Sequence, residues 1–385
     1  MKKRYPDKCA KMATIEAFLV PFEDTDLEPT EPITRVGWGK QVSKRTLWLK
    51  KACVHNRANE LWQLLVEWGM DPNKLILMRG MMPTHNNDDD SDDYAQNDYL
   101  QMSPLEIIIL FETPESLKCL EILLRAGANP TLPGFRTNGN ISYDAITYLC
   151  QQMSLRTSTM AKAEFYLKML ARLLSHSATL GPISTSTDPV TGKQALDYAL
   201  CSADVDAPCN NFACLHGVAM LLETGTINTL RGSLIMALRH IKNTDLCVQV
   251  CRMLLEAGVD VNERVNMSED KLWEQDTALM AAASRPGDDC LRLTRLLLDD
   301  VPGVDPNVFV GTGKGILTGS ATCLWAAAAH SRHARELLRL LLTHGANPYA
   351  ENDDGVSVLE QIYLLDPSQG DAIMDALSTK HRRRI

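Results

Sequence analysis

The sequence contains no apolar run that approaches the roughly 20 residues of a membrane-spanning helix. Its opening residues, Met1–Asp7, carry closely spaced charges instead of the apolar segment of a secretory signal. A membrane-embedded or secreted protein is therefore not expected, and no membrane partner is predicted.

The sequence also lacks recognisable catalytic motifs. It has no Gly-x-Ser-x-Gly elbow, no His-Glu-x-x-His helix and no Cys-x-x-Cys pair. An excess of basic residues is missing too: the net charge is −9, whereas a nucleic-acid-binding array normally presents a basic face to phosphates. We accordingly expect a protein that is not an enzyme, uses no cofactor or metal, and does not bind nucleic acid.

The eleven cysteines extend from Cys9 to Cys323, and most of them lie in apolar helical runs. An odd number in such positions predicts reduced thiols, and hence an intracellular, cytoplasmic protein. The basic residues Lys380–Arg384 are interpreted as a solvated tail, with a nuclear-import element as the alternative.

What the sequence does contain is internal repetition. Gly-Ala-Asn-Pro occurs at 127–130 and again at 345–348, each time after a Leu-rich run. Weaker copies begin at Gly69, Gly258 and Gly303. A recurring unit that ends a helix indicates stacked repeats, in which each unit packs only on its neighbours. Stacking also explains how 385 residues fold without one very large core.

The physical chemistry of one unit can be followed from Thr277. Its hydroxyl is a good N-cap, and the alanines after it favour a helix and allow close contact. Leucines at positions 291, 293, 296, 297 and 298 then predict a second, buried helix. Gly303 supplies the left-handed residue that ends a helix, and Pro306 blocks its continuation. Each unit is thus a short small-residue helix, a longer Leu-rich helix and a turn.

This unit resembles the ankyrin repeat, which begins Thr-Pro-Leu-His-x-Ala and ends Leu-Leu-Leu-x-x-Gly-Ala-Asp/Asn. Matching first halves begin at Ser103, Thr277 and Thr322, and fainter ones at Gln194 and Gly232. The resemblance implies an all-α fold: an ankyrin-repeat solenoid of about seven helix pairs, with long finger insertions and a C-terminal capping half-repeat. The family histidine of the first helix is replaced in every unit, which puts the usual hydrogen bonds between repeats in doubt. Its position is taken by Glu106, Asp197, Met280 and Trp325.

The chain is divided as follows. Residues 1–42 form a partly irregular leader with a proline- and acid-rich stretch at Pro21–Pro32, residues 43–378 form the repeat array, and residues 379–385 form a basic tail. The predicted helix pairs cover 44–72, 103–130, 142–178, 194–228, 232–262, 276–307 and 322–348, and the final half-repeat covers 357–378. The third pair is the least regular, because Ser154–Ala161 interrupts it and the closing glycine is missing.

Four groups of residues were considered as chemical sites. The acidic finger Asn86–Asp93 could chelate calcium but lacks the glycine and glutamate of an EF-hand loop, so a solvated loop is favoured. Cys201, Cys209, Cys214 and His216 do not have the spacing of a zinc knuckle, and buried thiols are favoured. His330 and His333 are placed at the end of a first helix, and Gly311–Gly315 is interpreted as a finger tip that resembles a phosphate loop only superficially.

A partner would bind, by the family resemblance, on the concave face formed by the fingers and the first helices. Aromatic residues and arginine are the side chains that interfaces favour. The predicted partner-binding residues are Phe135, Arg136, Trp273, Phe309 and Trp325. The alternative for each is packing beneath its own finger.

The predicted function is a non-enzymatic scaffold or adaptor that binds an unidentified polypeptide. The alternative is a metal-dependent enzyme or ligand-binding regulator that uses a pocket formed by the finger insertions.

Overall fold

The structure, a computed structural model, describes residues 42–79, 99–133, 135–136, 144–180, 193–225, 230–266, 275–308, 310–311, 320–330, 333–351, 355–365, 367–368, 370–371 and 373–375. Two compact units are distinguished: Met1–Ala203 with Ala207–Asn228, and Asp204–Asp206 with Thr229–Ile385. Residues 1–41 and the tail 379–385 lie outside the described residues. The single array over residues 43–378 remains a prediction.

The first unit consists of helix pairs in its described part. The first helices are α1 (Val42–Val54), α3 (Pro104–Leu110), α5 (Ala145–Arg156) and α7 (Ala195–Cys201). The second helices are α2 (Ala58–Trp62, continued by a π-helical turn Gln63–Glu67), α4 (Ser116–Arg125), α6 (Met160–Leu180) and α8 (Pro208–Glu223). First helices pack on first helices and second helices on second helices. The core therefore lies between successive pairs, as a stack of repeats requires.

The second unit continues the same pattern. Its pairs are α9 (Ser233–His240) with α10 (Thr244–Glu256), α11 (Ala278–Ala283) with α12 (Asp289–Asp300), and α13 (Cys323–His330) with α14 (Ala334–Thr343). A further helix, α15 (Val358–Leu365), packs on α13. The predicted helix pairs are thus found where the sequence placed them, and the interruption Ser154–Ala161 includes the loop between α5 and α6.

The bases of three fingers are short antiparallel hairpins. In the first unit β1 (Ile76–Arg79) pairs with β2 (Tyr99–Met102), and β3 (Phe135–Arg136) adds to the other edge of β2. In the second unit β4 (Val265–Asn266) pairs with β5 (Gln275–Asp276), and β6 (Val310–Gly311) with β7 (Ser320–Ala321). The sequence predicted protruding fingers at these places but gave no sign of the strands.

Side chains cap the N-terminal ends of several first helices, among them α3 and α11. Thr277 accepts a hydrogen bond from the Met280 amide at 3.2 Å, which confirms it as an N-cap. Ser103 accepts from the Glu106 amide at 3.2 Å, and the Ser103 amide donates to Glu106 Oε2 at 2.6 Å. The acid at the position of the family histidine therefore completes a capping box within its own helix.

Asparagine side chains link successive turns. Asn307 Nδ2 donates to the carbonyl of Gly345 at 3.2 Å, and Asn307 Oδ1 accepts from the Asn347 amide at 2.6 Å. Gly345 has φ of 94°, which turns this carbonyl toward the preceding turn without steric cost. The same two bonds run from Asn262 to Gly303 (2.7 Å) and Asp305 (2.8 Å), and from Asn73 to Gly127 (3.1 Å) and Asn129 (2.6 Å). The repeated glycine turn is therefore also a joint between repeats.

Replacing Asn307 by alanine should lower the free energy of unfolding of the second unit by about 1–2 kcal/mol, because both hydrogen bonds of this joint are lost. Solvent exposure of the turn keeps the cost below that of a buried network. Urea denaturation measures the change. Gln249→Ala, at an exposed position of α10, is the matched control and should stay within about 0.5 kcal/mol of the parent chain. Equal effects of the two substitutions would contradict a role for the joint.

Among the helices of the described residues, none combines the length and the apolar content that crossing a bilayer requires.

Candidate partner-binding surface

In the second unit each hairpin leads directly into a first helix. Strand β5 ends at Asp276, immediately before the N-cap Thr277, and β7 ends at Ala321, immediately before Thr322. Strand β5 also lies beside β6, so the two hairpins are neighbours. Hairpin bases and the first turns of α11 and α13 consequently form one continuous surface within this unit.

Trp325 lies on this surface, in the first turn of α13. It is partly exposed, whereas Met280, at the equivalent position of α11, is buried and only 8% exposed. A large aromatic ring that is not fully buried offers contact area at low entropic cost. Trp325 thus remains a predicted contact residue, with packing against its own finger as the alternative.

The described part of the structure does not bring the other predicted contact residues together. Phe135 and Arg136 form β3 in the first unit, where their backbones pair with Gln101 and Leu100. Trp273 lies between β4 and β5, and Phe309 directly precedes β6; both are outside the described residues. The involvement of these four residues therefore stays a prediction.

Part of the second unit matches a known protein family. A family model described as "Ankyrin repeat" matches residues 321–353, which run from the end of β7 through α13, α14 and the Gly345 turn. The chain therefore contains an ankyrin repeat. A helix pair followed by a left-handed glycine recurs at Gly69, Gly127, Gly225, Gly258 and Gly303.

No curated protein sequence is similar enough to the chain to be matched. Similar solved structures include the ankyrin repeat domain of Bcl-3, described as a unique member of the IkappaB protein family, with 18% identity and a TM-score of 0.42 over 72% of this chain and 98% of that chain. The ankyrin repeat domain of human ASB11 has 18% identity and a TM-score of 0.35 over 85% of this chain and 96% of that chain. We base the family assignment on the sequence match and the repeated geometry, and not on these superpositions.

A polar contact that the sequence did not reveal lies beside the hairpins of these ankyrin repeats. Arg239, in the last turn of α9, donates through Nε to Asp276 Oδ2 at 2.8 Å. Asp276 is 3% exposed, and burial raises the pKa of its carboxyl while the Arg239 guanidinium opposes that rise. The Arg239 side chain is 46% exposed. It therefore presents an oriented cation next to the hairpin base, which adds it to the candidate contact residues.

A cluster around Glu112 joins ankyrin repeats of the first unit. Glu112 Oε1 accepts from Tyr166 Oη at 2.9 Å, and it lies 3.5 Å from Lys162 Nζ and 3.7 Å from Arg156 Nη1. Burial and the hydrogen bond to Glu112 raise the pKa of the Tyr166 phenol. These contacts fasten the loop after α3 to α5 and α6.

Cys201, Cys209, Cys214 and His216 are the residues that the sequence offers for a zinc site. The three thiols are all buried: Cys201, Cys209 and Cys214. Lys193 Nζ lies 3.3 Å from the Cys201 sulfur, and burial lowers the pKa of His216. Within the part of the chain that the structure describes, no group of three or more His, Cys, Asp and Glu side chains could hold a metal ion. The acidic finger Asn86–Asp93 and residues 312–315 lie outside that part.

The position expected for His333 was wrong. The first helix α13 ends at His330, and His333 instead precedes α14 as its N-cap residue. Its Nε2 lies 2.7 Å from Asp288 and its Nδ1 lies 3.0 Å from Glu336. The imidazole therefore links the N-terminal ends of two second helices, α12 and α14.

Proposed function

We propose that this protein is a non-enzymatic adaptor that holds a polypeptide segment against its finger hairpins and first helices. The proposal rests on the continuous surface of the second unit. There the hairpins β4–β5 and β6–β7 lead directly into the first turns of α11 and α13. Partly exposed Trp325 and half-exposed Arg239 are contact residues of the kind that interfaces favour.

The proposal includes binding inside the cell, in the cytoplasm. Ten cysteines in the described residues are buried and are not joined in disulfides, a pattern typical of a reducing compartment. A polypeptide partner with exposed apolar side chains would find the aromatic contacts at the finger tips predicted by the sequence, Trp273 and Phe309. The partner is to be identified by affinity capture from cell extract and mass spectrometry, and its affinity then measured directly by calorimetry.

The double substitution Trp273→Ala with Phe309→Ala should weaken binding of the identified partner by at least about a hundredfold, because two aromatic anchors are truncated. The thermal transition should stay within about 2 °C of the parent chain, since finger residues contribute little to packing between repeats.

Leu364→Ala is the matched control. Leu364 is 73% exposed on α15, away from the two fingers in sequence, and its truncation should leave the affinity unchanged. A large loss of stability in the double variant would show that the aromatic side chains are structural. Unchanged affinity would place the partner on a different surface.

A further inference from the structure

Three arginines lie on adjacent second helices of the second unit. They are Arg295 in α12, and Arg335 and Arg339 in α14, and all three side chains are exposed. The two helices pack on each other. Arg335 and Arg339 are one turn apart, so they lie on the same side of α14.

The stacking of the helices places Arg295 beside Arg339. Arg295 lies midway between Leu293 and Leu297, and Arg339 lies midway between the corresponding leucines of α14; all four leucines are 0% exposed. A residue two positions from a buried one lies on the opposite side of a helix, so the two arginines take equivalent outward positions. Cβ atoms one turn apart are about 5–6 Å apart, and packed helices about 8–10 Å. The three arginines therefore form a small triangle.

The acidic side chains of the same helices are bound to other groups. Helices α12 and α14 contain four acidic residues, and each has a basic partner outside the triangle. The four pairs, with the distance from oxygen to nitrogen, are Asp289–Arg285 (3.8 Å), Asp299–His344 (2.9 Å), Asp300–Arg252 (3.3 Å) and Glu336–His333 (3.0 Å).

The arginines of the triangle have no such partner. Within the residues that the structure describes, none of the three forms an ion pair or a side-chain hydrogen bond, whereas Arg292 on the same helix lies 2.6 Å from Asp245. Like charges one turn apart repel, so Arg335 and Arg339 destabilise α14 unless an anion lies between them. The triangle thus offers an anion three guanidinium groups that are not engaged elsewhere.

A phosphate monoester matches this triangle better than a carboxylate does. It carries a charge of about −1.5 to −2 near neutral pH and has three acceptor oxygens. A guanidinium group donates to such oxygens through two parallel hydrogen bonds. A carboxylate has one charge and two oxygens, so it cannot engage three arginines to the same extent.

The surroundings favour one phosphate on a short segment over a long polyanion. The four acidic residues of α12 and α14 lie on the same two helices as the triangle, and the net charge of the chain is −9. A nucleic acid or an anionic membrane would bring further negative charges against these carboxylates, which would repel them. A peptide brings a single phosphate on an uncharged backbone.

We propose that Arg295, Arg335 and Arg339 bind a phosphorylated serine or threonine of a peptide segment. The site lies on second helices, whereas the proposed function uses hairpins and first helices. It therefore does not depend on that function.

The test uses the full chain and a dye-labelled peptide of alanine and glycine with one central phosphoserine. Fluorescence anisotropy at low salt should show that this peptide binds at least about tenfold more tightly than the same peptide with serine, because the dianion gains charge-assisted hydrogen bonds. A peptide with glutamate at the central position should bind at least about threefold more weakly than the phosphopeptide. Equal affinities of the phosphoserine and glutamate peptides would overturn a phosphate site.

Two triple variants decide where the phosphopeptide binds. Arg295→Gln, Arg335→Gln and Arg339→Gln together should abolish the preference for phosphoserine over serine. The matched control combines substitutions that remove the same charge at exposed positions outside α12 and α14, and should keep the preference: Lys51→Gln, Lys242→Gln and Arg264→Gln. Equal losses in the two variants would show that binding follows net charge, and would overturn the site. Circular dichroism checks that both variants are folded.

Polyanions have their own outcomes. Vesicles that contain phosphatidylserine, and a double-stranded DNA fragment, should bind the parent chain and the triple arginine variant equally weakly. Binding of either polyanion that is lost in the arginine variant would assign the triangle to that polyanion, and would overturn the proposed peptide ligand.

Discussion

Replacing Leu341 by alanine is expected to lower the free energy of unfolding of the second unit by about 2–5 kcal/mol. Leu341 lies in α14 and is 0% exposed, and α14 packs on both α12 and α13. Truncation removes buried apolar surface and leaves a cavity that helices fixed on two sides cannot close. Because two compact units are present, the loss should be measured by urea denaturation with hydrogen exchange of peptides from α13–α15.

The neighbouring residue provides the control. Leu340→Ala makes the same chemical change one position earlier, where the side chain is partly exposed, and should cost less than about 1 kcal/mol. A smaller loss for Leu341→Ala than for Leu340→Ala would mean that the interior between these repeats is not packed as the structure shows.

Replacing Arg285 by methionine is expected to cost about 2–4 kcal/mol, because three carbonyl groups lose their hydrogen-bond donor at once. Arg285 is 8% exposed in the loop between α11 and α12. Its Nη1 donates to the carbonyls of Leu238 (2.6 Å) and Ile241 (2.8 Å), and its Nη2 donates to that of Lys242 (3.2 Å). These carbonyls lie at the C-terminal end of α9, where helix carbonyls have no partner within the helix.

Two further substitutions make this test specific. Arg285→Lys should recover only part of the loss, because an ammonium group cannot reproduce the planar fork that reaches three carbonyls. Arg295→Met, at an exposed position of α12, should change stability by less than about 0.5 kcal/mol. A change below about 1 kcal/mol for Arg285→Met would show that water replaces the guanidinium at the helix end.

The order of helices was predictable because its causes are local. Thr277 caps a helix through its own amide neighbours, and Gly303 ends one through its own φ of 84°. Leucine spacing selects the buried side of each second helix without reference to distant residues. The helix pairs predicted from such local patterns were therefore found, from the pair near residue 44 to the helix at 358–365, although the end of α13 was placed too late.

The joints between repeats were not predictable in the same way. Arg285 and Ile241 are 44 residues apart, and Asn307 and Gly345 are 38 apart. Arginine and asparagine are also common in solvated loops, so the residue types at 285 and 307 do not indicate a distant hydrogen-bond partner. The pattern Gly-x-Asx-x-Asn is visible in the sequence of three turns. The sequence does not show, however, that its asparagine bonds to the backbone of the next turn.

The sequence predicted the residue types of the candidate surface but not the contacts that form it. Fingers with aromatic residues were visible, but the strands at their bases depend on pairing between segments about ten or more residues apart. Likewise Arg239 became a candidate only when folding brought it to Asp276 of the next repeat. Local sequence specified neither contact, because a strand or an ion pair exists only with its partner.

By itself, the sequence determined that this chain forms stacked helix pairs ended by glycine turns, since capping, helix spacing and left-handed glycine act within a few residues. The tertiary structure alone decided which side chains join one repeat to the next and which remain exposed for a partner. Those choices depend on packing between residues some 40 positions apart, where the energy of a contact appears only after the helices have stacked.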